Sequence, residues 1–481
     1  MIKLYKNILS FHIMKNDLYE MNYTNIIEPK YGMKRNILFD ENLENEINSD
    51  HCYSVQYRED LTLIESYTID PEGCKDADDA FSIFEKDDKL FLAIHIADPT
   101  EHIPLNSNIW RDILNRGTTK YPSNRPPIHM IPEKILNLSS LQGDILGSKK
   151  KAITVMTEID KNNYHPINEI KLLFSEITVK RKNAYTYKEA SQNKNTIQSF
   201  MYGLLISNSL KNKRSLLTKG VKLNDLNTAY IIYEYDNVYL YQDTNEEKEV
   251  KQMIAEFAIF ANSFIGEYLK INLNIGIFRT CNANTWLNTV YKEISGEKLL
   301  QEIITNGIRA DYMSNVASHD LVGMPEYCHF TSPIRRLSDC VCHYLIKYIY
   351  LKNRKHIEPP FTESELDNFS NTCLITNKNE KKNQYLDIKY RLLQVIYNML
   401  LKDNSVELGY YVTSYTGLFL NIIISKINNF SVHMSYTLRV KNFNKLIDSK
   451  HMFRVLITKV NCFTKYDEGT LPELDYHILN S

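Results

Sequence analysis

Hydrophobic and polar positions change rhythm along the chain. Residues 1–54 are polar, with weak periodicity. From about 55 to 104 the apolar positions fall in short runs of strand length, Leu61-Thr62-Leu63-Ile64 and the run 90–97, and these predict strands on either side of a polar loop. Residues 121–133 carry four prolines, Pro122, Pro126, Pro127 and Pro132, which predict an irregular connection. Strand-like and loop segments continue to about 180. After residue 200 the period becomes helical. Met253, Phe257, Phe260 and Phe264 share one helical face, as do Leu337, Val341, Leu345 and Tyr348, and Ile388, Leu392, Ile396 and Met399. Thr362-Glu363-Ser364-Glu365 is a capping-box signature for a further helix start. Beyond 406 strand-like runs return at 409–413, 418–422 and 453–460, predicting a small all-β unit.

Composition narrows the class. At roughly 150 residues per domain, 481 residues make about three domains, or one large domain with appendages. Hydrophobic residues at 43% and charged residues at 24% exclude a disordered tail protein, a collagen and a disulfide miniprotein. Lys+Arg is 57 and Asp+Glu is 58. The chain is therefore not coated in basic residues, although a basic channel around an acidic centre fits the total. The eight Cys contain no CxxC pair, so zinc spacing and a disulfide framework are absent. Free thiols fit a reducing compartment. The N-terminus lacks an apolar signal-peptide core, and the apolar stretches are too short to span a bilayer. These features predict an intracellular, cytoplasmic protein with no membrane association.

The loop that opens at Asp70 changes the picture. Asp70, Asp76, Asp78 and Asp79 lie within ten positions after a strand. Short carboxylates so close repel one another unless a cation sits between them, and hard cations prefer oxygen ligands. An EF-hand is excluded, because neither Asp70 nor Asp76 has Gly at loop position six and Glu at position twelve. A bare D-x-D-D could also be a solvated turn. The second cluster is His329-Phe330-Thr331-Ser332-Pro333-Ile334-Arg335-Arg336-Leu337. It predicts a helix capped by Ser332 with Pro333 at its first position. Two arginines in a first turn oppose the helix dipole and call for an anion there, as at a phosphate site; a pair with Asp339 is the alternative. Cys340-Val341-Cys342-His343 would point to different faces of a helix, so no metal site is expected, and His95 and His343 are expected to be structural.

At these segments the chain resembles the RNase II/RNase R (RNB) family of exoribonucleases. Thr68 to Asp79 matches the T-I-D-x5-D-x-D-D loop, and His95-Ile96-Ala97-Asp98 the H-I-A-D segment. Arg116-Gly117-Thr118-Thr119-Lys120-Tyr121, Pro132-Glu133 and Leu138-Ser139-Ser140-Leu141 follow the next block. Tyr185-Thr186-Tyr187, the segment around Glu256-Phe257 and Asn262, and the stretch from His329 to Asp339 complete six matches in family order over roughly 55–405. The resemblance implies metal-dependent, processive hydrolysis of single-stranded RNA from its 3′ end to nucleoside 5′-monophosphates. It implies that Asp70, Asp76, Asp78 and Asp79 hold Mg2+ or Mn2+, with Asp78 and Asp79 also catalytic. Arg335 corresponds to the arginine that stabilises phosphate charge, with Arg336 beside it on the RNA. Tyr121 corresponds to an aromatic clamp, and Tyr187 and Glu256 to residues that orient the 3′ end.

The fold expected is α+β: a mixed α/β RNB-type catalytic domain at 55–405, a short extension at 1–54, and a small C-terminal β-barrel (OB-like) unit at 406–481. Family members usually carry two cold-shock domains before the catalytic domain, and 54 residues are too few for two. Other departures are Ala77 in place of a bulky apolar residue, Leu337 in place of an aromatic, and Arg279-Thr280-Cys281-Asn282 where R-x-H-x-x-P is usual. The partner expected is single-stranded RNA, bound by a monomer. The competing expectation is an inactive RNA-binding scaffold on the same fold, free to lose Asp78 or Arg335; this chain keeps both. A different metal phosphodiesterase would need histidines near the acids, and only His95 is close in sequence.

Overall fold

A computed structural model of the protein describes residues 23–32, 37–217, 228–234, 237–283, 308–416, 419–439, 453–461 and 473–478. Residues 1–22 of the N-terminal extension, Asn284, Leu418 and Cys462 lie outside them. A π-helical turn (Tyr23–Ile27) runs into α1 (Glu28–Tyr31), and α2 (Ile37–Glu44) follows. Strands β1 (Glu59–Asp60), β2 (Thr68–Asp70), β3 (Asp79–Lys86) and β4 (Lys89–Ala97) come next. The apolar run 61–64 is not a strand. Asp60 Oδ1 accepts from the Thr62 N–H at 2.9 Å and from its hydroxyl at 2.5 Å, and Ile64 N–H closes a turn onto Leu61 O. Leu63 is left 99% exposed.

Two helices lie where strand and loop are expected, α3 (Asn108–Arg116) and α4 (Glu133–Ser139). Then come β5 (Lys149–Ile159), β6 (Pro166–Thr178) and β7 (Ala184–Thr186). The main sheet has the order β1-β6-β5-β4-β3, antiparallel except for β1 against β6. Helices α5 (Tyr187–Asn193) and α6 (Gln198–Leu217) and the hairpin β8 (Tyr230–Glu234)–β9 (Asn237–Tyr241) follow. Next is α7 (Asn245–Asn272), whose buried face includes Met253 and Phe257 as its period requires. The antiparallel pair β10 (Ile275–Thr280) and β11 (Asp311–Asn315) precedes α8 (Leu337–Leu351). Helix α9 (Glu363–Asp403) starts with the expected capping box at Thr362 and Glu365.

Among the described residues five strands follow: β12 (Val406–Thr416), β13 (Phe419–Ile427), β14 (Phe430–Arg439), β15 (Phe453–Asn461) and β16 (Glu473–Ile478). Their order is β14-β13-β12-β15-β16, all antiparallel. Among the described residues β14 and β16 approach without a hydrogen-bonded ladder, so the β unit is an open sheet and not a closed barrel.

Among the described residues two hydrophobic cores result. The first joins the main sheet to α7, α8 and the start of α9 through residues such as Ile94, Phe257, Leu345 and Leu366. The second gathers the β unit, the end of α9, the hairpin β8–β9 and the N-terminal turn through Tyr23, Leu240, Leu392, Ile396 and Tyr410. The C-terminal sheet therefore shares its core with residues far upstream of 406.

Candidate active site

The acidic loop is held from both ends. Strand β2 pairs in parallel with β7, which sets Asp70 opposite Thr186. Thr186 caps α5, so Tyr187 starts that helix directly beside the loop. At the other end Asp79 opens β3, paired with Ile96. Between them Gly73 takes φ +73°, a left-handed turn that glycine adopts without a Cβ penalty. Gln142 Nε2 donates to Cys74 O at 2.8 Å, and Leu141 N–H to Ala77 O at 2.9 Å. The small Ala77 is buried and anchored by that bond.

Asp70 and Asp76 both accept from the Cys74 thiol, at 3.7 Å and 3.5 Å. Asp78 is 3% exposed; its Oδ1 accepts the Ile334 N–H at 2.8 Å and its Oδ2 the Arg335 Nε at 2.8 Å. Asp76 Oδ2 accepts the Tyr121 hydroxyl at 2.6 Å. Burial, with Arg335 opposing it, pushes the Asp78 carboxyl up to about 8. Burial and then repulsion from Asp79 push Asp70 up to about 7, and burial also raises Asp79. Burial, then Asp79 and Asp70, raise the Tyr187 phenol, which places Tyr187 in the same electrostatic neighbourhood.

The arginine segment differs from the expected helix start. Residues 333–335 form a turn and α8 begins at Leu337, with Arg336 as an extended N-cap residue. The cause is a zipper to the segment after α3. Thr118 bridges Arg336, Thr119 N–H donates to Arg335 O at 3.0 Å, and Leu337 N–H to Gly117 O at 3.0 Å. Two of the segment's backbone donors are taken by carboxylates, Ser332 N–H by Asp339 and Ile334 N–H by Asp78, each at 2.8 Å. Ser332 caps no helix but steadies Arg335, accepting from its Nη2 at 3.0 Å. It is Arg336, not Arg335, that pairs with Asp339, at 2.9 Å.

Asp70, Asp76, Asp78, Asp79, Tyr121, Tyr187 and Arg335 thus converge, with Arg336 next to them. Glu256 does not join them. It is 1% exposed and bound by Arg214, Nη2 to Oε1 at 2.5 Å and Nε to Oε2 at 3.1 Å, beside a separate cavity lined by His165, Leu210 and Phe260. A match to a short helical motif fixes a residue's turn on the helix only to within one position, and one position is 100° of rotation. His95 is buried in the sheet between Ser82 and Thr154. The histidine near the acids is His129, with Nδ1 4.0 Å from Asp76 Oδ2. Sequence reasoning also missed Lys251, whose ammonium lies 5.4 Å from the Tyr187 ring centroid; no motif in the sequence pointed to it.

Among the described residues no three or more His, Cys, Asp or Glu are arranged to hold an ion as they stand. Asp78 is turned to Arg335 and Asp76 to Tyr121. The donor chemistry nevertheless fits a hard divalent cation: the groups are carboxylate oxygens, crowded and raised by burial, and a cation would relieve the repulsion between Asp70 and Asp79.

Residues 58–352 match the family model described as RNB domain. Ribonuclease R of Helicobacter pylori is 28% identical over 329 residues, which cover 60% of this chain and 49% of that protein. The chain spans between a third and about half of the length of the curated relatives it matches. Mycoplasma genitalium RNase R in complex with ribose methylated single-stranded RNA superposes with TM-score 0.73 at 17% identity, covering 96% of this chain and 78% of that one. Yeast Ssd1, a pseudonuclease, superposes with TM-score 0.63 at 15% identity, covering 85% and 54%. At these identities the superpositions speak for the fold alone.

Proposed function

This chain belongs to the RNB domain family, and on that premise we propose that it is a metal-dependent hydrolytic exoribonuclease that shortens single-stranded RNA from the 3′ end to nucleoside 5′-monophosphates. The observation that carries this reading is the convergence of four aspartates with Arg335 and two tyrosines on one loop. A divalent ion bound there supplies charge neutralisation at phosphorus and an activated water. Asp70 and Asp79 would hold it, joined by Asp76 and Asp78 when those exchange their present partners. Arg335, 45% exposed at its side chain, extends a guanidinium fork from the loop toward solvent and can stabilise charge that grows on a phosphate. Tyr121 and Tyr187 offer π-faces, which grip any base without reading its edge.

The second reading, an RNA-binding scaffold, draws on one observation: Asp78 and Asp76 are bonded to protein groups, and no ready ion cage stands among the described residues. The two readings part when RNA labelled at either end is incubated with Mg2+ or Mn2+. The proposal expects mononucleotides released from the 3′ label at once, loss of cleavage in EDTA, and an Asp79→Asn protein that binds RNA without cutting it. RNA that is bound and left intact would favour the scaffold.

A further inference from the structure

The cavity beside Glu256 is set apart from the carboxylate loop and has a built polar floor. It measures about 450 Å³, within the roughly 300–1,000 Å³ usual for small-molecule sites. It opens between the start of β6, the end of α6, the middle of α7 and Met324. Glu256 is fully engaged there: Arg214 donates to both of its oxygens, and Gln252 Nε2 donates to Oε1 at 2.6 Å. Arg214 Nη1 also donates to Val322 O at 3.2 Å, which ties the segment before Met324 to the same floor. The floor is therefore a closed ion pair that holds three elements together and carries no net charge.

Two polar groups of the cavity are not spent on that pair. Lys213, exposed near the end of α6, makes no hydrogen bond or ion pair among the described residues. His165 shares a hydrogen bond between Nδ1 and the Ser209 hydroxyl at 3.1 Å, which leaves Nε2 for a ligand. Burial, and after it Lys213, hold the imidazole below its usual range, so the two groups are electrostatic neighbours. The rest of the wall is apolar, with Ile170, Leu210, Phe260 and Met324 in it. One uncompensated cation thus stands at an apolar, partly aromatic cavity. A bare inorganic anion would leave the apolar wall uncovered, and a neutral ring would leave the ammonium without a counter-charge. A ring that carries an anionic group satisfies both. Phe260 offers it an aromatic face and Met324 a polarisable sulfur, and the ammonium offers the anion up to three donors.

We propose that this cavity is a binding site for a small amphipathic anion, an aromatic ring bearing a carboxylate or phosphate, whose charged group is taken by Lys213 and His165 and whose ring is covered by Ile170, Leu210, Phe260 and Met324. The site stands independently of the nuclease reading: none of the four loop aspartates, Tyr121, Tyr187 or Arg335 lines it. The same chemistry comes from two sources, a nucleoside 5′-monophosphate or an aromatic carboxylic acid.

The test is calorimetric titration of the full-length protein in EDTA, which keeps divalent ions off the carboxylate loop. The probes are adenosine 5′-monophosphate and indole-3-acetate, with adenosine, indole and inorganic phosphate as their separate halves. At least one of the two anion-bearing rings binds about tenfold or more tighter than either of its halves. Which of them does so assigns the source, nucleotide or aromatic acid. Lys213→Gln weakens that probe about tenfold, the size of a hydrogen bond to a charged group, and Lys213→Arg, which keeps the charge, retains most of the binding. Phe260→Leu, which keeps the apolar volume and loses the aromatic face, weakens it about threefold. Because Lys213 is exposed, its variants fold as the parent does, and a thermal melt checks Phe260→Leu. No binding of either anion-bearing ring beyond that of its halves overturns the site. So does binding that Lys213→Gln and a folded Phe260→Leu leave unchanged, since the probe then sits elsewhere.

Discussion

Asp78 depends on Arg335, because burial of a carboxylate 3% exposed disfavours its charged form and the guanidinium opposes that effect. Removing that arginine tests structure and chemistry together. Arg335→Ala should lower stability by about 1–2 kcal/mol, the low end for a bond to a charged group since the arginine is 45% exposed. It should lower single-turnover cleavage by about 100-fold or more. Arg335→Lys keeps the charge and loses the fork, so it should restore only part of the rate. A variant that melts early but cleaves normally would make the arginine structural. The neighbouring acids add a pH dependence. Burial pushes the Asp70 carboxyl up to about 7 and that of Asp78 up to about 8, above the ordinary carboxylate value. The folded state therefore binds the extra protons between pH 4 and 8, and this contribution to stability is lost as pH rises through that window. A divalent ion bound at these carboxylates would replace the missing protons. Mg2+ should raise the thermal midpoint more at pH 8 than at pH 6, and Asp79→Asn should shrink the difference; equal shifts at both pH values would argue against a metal at these carboxylates.

Helix α8 reaches the sheet through charges as well as apolar contacts. Lys347, 0% exposed, lies 2.9 Å from both Asp98 Oδ1 and Glu101 Oε2. Arg58 joins the same acids at 2.6 Å and 2.8 Å, and Lys151 reaches Glu101 at 3.3 Å. Burial opposes charge on Asp98, yet Lys347 and Arg58 hold its carboxyl well below the usual range. Asp98 follows β4, whose Ala97 N–H donates to Asp78 O at 2.8 Å, so the cluster anchors the floor of the acidic loop. Lys347→Met should cost about 3–5 kcal/mol by leaving buried acids under-compensated, read as a fall in denaturant midpoint. The loss should ease at low pH, where the acids take up protons.

At this scale sequence reading succeeds where chemistry is local and fails where contacts are distant. The loop 70–79 was legible because its four aspartates lie within ten positions of one another. The turn at 60–64 was missed because one Asx side chain outweighs an apolar run of four. The start of α8 was misplaced because Thr118, more than 200 residues upstream, zips Arg336 into an extended conformation. The ion cluster was invisible, since Arg58, Asp98 and Lys347 meet only in the fold.

Among the described residues one rod, α9, threads two cores. The start of α9 is buried in the first core at Leu366 and Cys373, and its end in the second at Leu392 and Ile396. Near the join, Gly117 at φ +66° lies so close to α9 that a Cβ would stand 2.7 Å from Thr376 Oγ1. Asp387 ties the N-terminal turn and the proline-rich segment to the rod, accepting from Tyr23, Tyr31 and Ser123. Cutting the chain at 406 would therefore uncover Tyr23 and Leu240 along with the helix. A proline at exposed Lys378 costs a helix interior about 3 kcal/mol or more and should uncouple the halves. Calorimetry should resolve two transitions for Lys378→Pro and one for the parent; a single shifted transition in the variant would mean that the cores communicate without the rod.

The bond between Asp78 and Arg335 spans 257 positions of sequence, and a ribosome makes that length in roughly 13–50 s at 5–20 residues per second. Throughout that interval the nascent chain carries its acidic loop without the arginine that completes it. A chain with the activity proposed here therefore has its nucleolytic site unfinished through most of its own translation, while it is still tethered to a messenger RNA.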